Sequence, residues 1–72
     1  MDMRKLVGRN VLKVRLASGL TQDKLPEKSG HSQQYISGLE RGDRNPAVVS
    51  LFELAQALKV TPVDLIAPDR KR

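Results

Sequence analysis

The stretch Thr21-Gln-Asp-Lys-Leu-Pro-Glu-Lys-Ser-Gly30-His-Ser-Gln-Gln-Tyr-Ile-Ser-Gly-Leu-Glu40-Arg-Gly42 decides the fold. It reads as two short helices joined by a tight turn. Thr21 is placed to cap the first helix through its hydroxyl, Leu25 is its core contact, and Gly30 ends it. Ser32 caps the second helix, which runs from Gln33 to about Arg41 with Ile36 and Leu39 turned inward, and Gly42 ends that one. The second helix therefore opens with two adjacent glutamines, Gln33 and Gln34. A glutamine amide both donates to and accepts from an adenine edge in the major groove of DNA. A helix N-terminus carrying such side chains, braced by a preceding helix across a Gly turn, has the geometry of a groove reader.

Outward from that stretch the same punctuation repeats. Val7, Val11, Val14 and Ala17 recur at helical spacing and predict a first helix from about Met3 to Ser18, ended by Gly19. Gly42-Asp-Arg-Asn-Pro46 reads as a loop from its turn residues. Leu51, Leu54, Ala55 and Leu58 share one face of a fourth helix, from about Val48 to Leu58. Thr61-Pro62-Val-Asp64 opens a short fifth helix: Thr61 is the cap, Pro62 takes the favoured first position, and Asp64 completes a capping box. Leu65 and Ile66 follow, and Pro68 ends the element. The expected architecture is all-α: a compact five-helix domain over residues 1–68, with a basic tail over 69–72. There is no internal repeat and no strand pattern.

Composition narrows the function classes. The 72 residues suffice for one domain, and the 39% hydrophobic and 29% charged content argues for a folded chain rather than disorder. No apolar run approaches the roughly 18 residues that a membrane span needs. The polar N-terminus has no signal-peptide core, so a cytoplasmic location is expected. Without cysteine there are neither disulfides nor thiolate metal sites, and His31 alone cannot hold a metal. No nucleophile–base pair or Gly-rich phosphate cradle is present, so no enzyme and no cofactor is expected. The net charge of +5, from 13 Lys+Arg against 8 Asp+Glu, fits a phosphate partner, although a solvated basic surface has the same charge.

The chain resembles the phage-repressor and Cro type of helix-turn-helix domain, the XRE family. The resemblance rests on Gly19-Leu-Thr-Gln22, Leu25, Ser29-Gly30, Ser32, Tyr35-Ile-Ser-Gly-Leu-Glu-Arg-Gly42, Asn45-Pro46, Leu51, Leu54-Ala55, Ala57-Leu58, Val60 and Leu65. It covers the chain from about Leu6 to Ile66. It implies five helices, with the second lying across the DNA backbone and the third in the major groove. By the same resemblance Gln33, Gln34, Ser37 and Gly38 match groove-facing positions, Gln22 matches a phosphate contact, and Arg44 and Asn45 match a loop along the backbone. Arg15 and Glu40 match a structural ion pair between the first and third helices. If well buried, such a pair costs ~3–5 kcal/mol to break at one partner.

Each position also has a plainer reading. Gln33 and Gln34 could be exposed, neutral helix residues, and Gln22 a solvated one. Tyr35 could reach phosphate or lie half-buried beside the second helix. Gly38 costs ~1 kcal/mol relative to Ala within a helix, which close approach to DNA or neutral drift would explain. His31 is expected to cover the core. Two residues depart from the family. Pro26 stands where relatives carry Ala, and it removes a helical N–H, predicting a distorted or tightened first turn. Lys59 stands where Gly often ends the fourth helix, so it adopts a positive φ or the helix ends differently.

The function expected from these features is a sequence-specific transcriptional regulator that binds a palindromic DNA operator as a homodimer. Phe52, Val63 and Ile66 are the candidate dimer surface, and the absence of an evident ligand domain leaves no small-molecule effector in view. The alternative is a protein-interaction module such as an antitoxin subunit, with DNA binding secondary.

Overall fold

The computed structural model describes residues 2–68. It contains five helices: α1 (Met3–Ala17), α2 (Lys24–Ser29), α3 (Gln33–Glu40), α4 (Val48–Leu58) and α5 (Pro62–Ile66). The basic tail expected at 69–72 lies outside the described residues. Among those described, no helix is long and apolar enough to cross a membrane.

One apolar cluster joins all five helices: Val7, Val11, Leu25, Ile36, Leu39, Leu54, Ala55, Leu58 and Leu65 are buried together. The main packings are α1 on α3 and α5, α2 on α3 and α4, and α4 on α5. The helices thus close into a ring of neighbours. Ala17, expected on the inner face of α1, is exposed, because α1 turns into its Ser18 cap at that point. Asn10 is the buried polar residue on the α5 side. Its Nδ2 donates to the carbonyls of Leu65 (3.1 Å) and Ala67 (2.8 Å), which α5 leaves without helical partners.

Helix ends follow local chemistry. Asp2 caps α1 by accepting from the N–H groups of Arg4 (3.1 Å) and Lys5 (3.4 Å). Gly19, Gly30 and Gly42 take φ of 75°, 82° and 84°, each at a helix exit. Lys59 ends α4 in the same left-handed region, at φ 61° and ψ 40°. Asp64 accepts from the Thr61 N–H at 3.0 Å, holding the start of α5.

The start of α2 corrects one expectation. The Thr21 hydroxyl caps no backbone N–H; it donates to the Asp23 carboxylate instead. The Thr21 carbonyl accepts from Lys24 (3.1 Å) and Leu25 (3.3 Å), so a tight turn at 22–23 precedes the regular helix. Pro26 accounts for the short helix, since it has no N–H to give the Gln22 carbonyl.

Candidate nucleic-acid interface

Helix α3 is set by its cap and by two inward side chains. Ser32 Oγ accepts from the Tyr35 N–H at 3.0 Å, and Ile36 and Leu39 are fully buried. Helical periodicity then turns Gln33, Gln34, Ser37 and Arg41 to the opposite side. Gln33 and Gln34 are exposed, and both line one open cleft with Gln22, Ser37, Arg41 and Arg44. The cleft is polar and carries two guanidinium groups.

Behind this face lies a buried ion pair. Arg15 Nε donates to Glu40 Oε2 at 2.6 Å and Arg15 Nη2 to Glu40 Oε1 at 3.2 Å, with side-chain exposures of only 9% and 5%. Arg15 Nη1 also reaches the Leu20 carbonyl at 2.8 Å. Gln22 Nε2 donates to Glu40 Oε1 at 2.8 Å. One carboxylate therefore ties together α1, the turn before α2, and the end of α3. The α1–α3 crossing is close enough that a Cβ on Gly8 would stand 2.2 Å from the Leu39 carbonyl oxygen.

Other expected contact residues sit elsewhere. Gly38 is buried, and a Cβ there would meet the Arg44 side chain, 3.1 Å from Nε and 3.2 Å from Cγ. Its small size leaves room for that side chain. The Arg44 guanidinium carbon stands 5.5 Å from the centre of the Tyr35 ring, a cation–π distance. Tyr35 is half-buried and stacks on His31 with ring centres 4.9 Å apart. His31 Nε2 in turn lies 2.9 Å from Glu53 Oε1 on α4. Asn45 is exposed but borders a different crevice, with Asp2, Met3 and Arg4 at the start of α1.

Arg41 is the cleft residue that sequence reasoning missed. It stands four and eight residues after Ser37 and Gln33, a helical spacing that was visible in the sequence. Its Nη1 donates to Ser37 Oγ at 2.8 Å and its Nε to Asp43 Oδ2 at 2.9 Å. At the opening of α2, the hydrogen bond from Thr21 and one from Asp23's own backbone hold the Asp23 carboxyl below the usual carboxylate range.

The family profile described as Helix-turn-helix matches residues 11–65. The chain belongs to this family of non-enzymatic transcriptional regulators, of the XRE type. An uncharacterized HTH-type transcriptional regulator, y4dJ of Sinorhizobium fredii, is 59% identical over 68 residues, covering 94% of this chain and 88% of the relative. The restriction-modification controller protein C.AhdI of Aeromonas hydrophila is 37% identical, with a TM-score of 0.83 over 86% of this chain and 90% of that one. A second controller, C.Esp1396I, was solved as a tetramer in complex with its natural 35-base-pair operator. It is 35% identical, with a TM-score of 0.82 over 90% of this chain and 86% of that one. As a member of the helix-turn-helix family, the chain is close to such controller proteins.

Proposed function

We propose that this regulator reads an approximately palindromic operator as a homodimer, each subunit laying α3 in one major groove. The exposed face of α3 carries the proposal: Gln33, Gln34 and Ser37 share it, with Gln22 and two arginines along its edges. Amide and hydroxyl groups on the open face of such a helix suit base edges, and the flanking Arg44 guanidinium suits phosphate. Gln33, Gln34, Ser37 and Gly38 are the proposed base contacts, and Gly38 also leaves room for Arg44. Gln22, Tyr35, Arg44 and Asn45 are the proposed phosphate contacts. Gln22 retains a second amide hydrogen for that role while the first goes to Glu40.

Pairing through α4 and α5 is supported by Phe52, Val63 and Ile66, which are 52%, 62% and 39% exposed. Apolar side chains left this open favour burial against a partner, and a second copy supplies the two-fold symmetry of a palindrome. The C.Esp1396I tetramer on its operator supports assembly on DNA. Repression or control of a small set of genes, including its own, is the biological role this reading favours, exercised in the cytoplasm.

Selection of bound sequences from a randomised duplex library tests the proposal. Wild type recovers a palindrome, and Gln33→Ala/Gln34→Ala relaxes it at particular positions. Recovery of no sequence above a salt-sensitive background overturns the reading. Sedimentation of Phe52→Ser/Ile66→Ser tests the pairing: a monomer is expected, and an unchanged dimer places the interface elsewhere.

A further inference from the structure

We propose that Arg41 is a further base-reading residue, taking a guanine edge beside the bases read by Gln33, Gln34 and Ser37, and that Asp43 is its positioning residue. The proposal rests on α3 being the DNA-reading helix. Three observations carry it. Arg41 continues the row formed by Gln33 and Ser37 on one helix face and borders the same cleft. Its side chain is 63% exposed, yet the guanidinium is held at two points, by Asp43 on Nε at 2.9 Å and by Ser37 on Nη1 at 2.8 Å. Those bonds leave the Nη2 donors and one Nη1 donor free, which is the outer fork of the guanidinium. That fork matches the paired O6 and N7 acceptors of guanine.

Phosphate is the competing acceptor, and Asp43 decides between the two. A carboxylate hydrogen-bonded to Nε puts a negative charge beside whatever the fork binds. An anionic phosphate is repelled by it, whereas a neutral base edge is not. Holding a long side chain in one pose also lowers the ordering cost of recognition. Asp43 therefore weakens attraction to unrelated DNA while sharpening the choice of base.

Sequence selection and affinity measurements on wild type, Arg41→Ala, Arg41→Lys and Asp43→Asn test this. Wild type is expected to prefer G·C at one position per half-site, distinct from those relaxed by Gln33→Ala/Gln34→Ala, with discrimination of about 5- to 150-fold. Both Arg41 variants lose that preference, Arg41→Lys because it keeps the charge without the fork. Asp43→Asn weakens it and raises affinity for unrelated duplex. If Arg41→Ala lowers affinity equally for all sequences and every positional preference survives, Arg41 contacts phosphate and the proposal is overturned. An unaltered preference in Asp43→Asn overturns the positioning role. A wild-type palindrome sensitive to the glutamines but with no Arg41-dependent position overturns this inference alone, whereas selection of no sequence overturns the DNA-reading role of α3 as well.

Discussion

Gln22 Nε2 lies 2.8 Å from Glu40 Oε1, so the side chain before α2 is fastened to the last residue of α3. The same carboxylate holds Arg15, and both charges are almost wholly buried. Removing one charge strands the other. Glu40→Gln and Arg15→Met are each expected to lose ~3–5 kcal/mol, while the double variant loses less than their sum. Urea unfolding of the three variants measures the coupling, and strict additivity would show that the pair contributes none.

Gly8 has no room for a side chain. Its Cβ would press on the Leu39 carbonyl at 2.2 Å and on the Glu40 carbonyl at 3.0 Å, both backbone atoms. Gly8→Ala gains ~1 kcal/mol in helix propensity but forces α1 and α3 apart. Overpacking of this kind costs about 1–3 kcal/mol or more. A net fall in Tm is expected, at about 4–8 °C per kcal/mol for a domain of this size. An equal or higher Tm would mean the two helices separate without strain.

Asn10 serves two carbonyls at the end of α5. Asn10→Ala leaves them unpaired, at about 1–3 kcal/mol for each one that stays buried. Asn10→Asp is expected to be worse, since a carboxylate has no donors and faces two acceptors. Hydrogen exchange should quicken first in α5; protection lost evenly over all helices contradicts the assignment.

Asp23 offers a pH test. Its carboxyl is held below the ordinary value, chiefly by the Thr21 hydroxyl. The depressed folded-state value means that its stabilising contribution is present above the unfolded-state pKa and is lost as pH falls through the folded one. NMR titration should place the Asp23 midpoint below that of an ordinary aspartate, and Thr21→Val should move it upward. A midpoint indifferent to Thr21→Val rules out the hydroxyl as the cause.

Lys59 stores strain where α4 ends. An L-residue in the left-handed region costs about 1–2 kcal/mol, against roughly 0.5–1 kcal/mol of extra chain entropy that a glycine loses on folding. Lys59→Gly is therefore expected to raise Tm by a few degrees. A lower Tm would show that the lysine side chain contributes packing that outweighs its backbone.

The elements that sequence made legible are those governed by neighbours in the chain. Gly30, Ser32 and Gly42 frame α3 through φ and hydroxyl geometry that act within a few residues, and Pro62 and Asp64 open α5 the same way. Thr21 misled because Asp23 competes for its hydroxyl, and a short-range rule does not rank the two acceptors. Gly8, Asn10 and the burial of Gly38 were illegible for another reason. Their partners are Leu39, Leu65 and Arg44, set by how helices cross rather than by local order. Arg41 was within reach of helical spacing, but its fixation by Asp43 depends on the turn beyond the helix.

The bond from Asn10 to Leu65 and Ala67 spans almost the whole described chain and closes the ring of helices. During synthesis α1, α2 and α3 leave the ribosome first, yet α1 has only one of its two main packing partners until α5 follows. Helix α3 emerges early, and α1, which it packs against, gains its second main neighbour last. A chain shortened before Ala67 thus leaves Asn10 without one of its acceptors and the exit of α5 without its tie to α1.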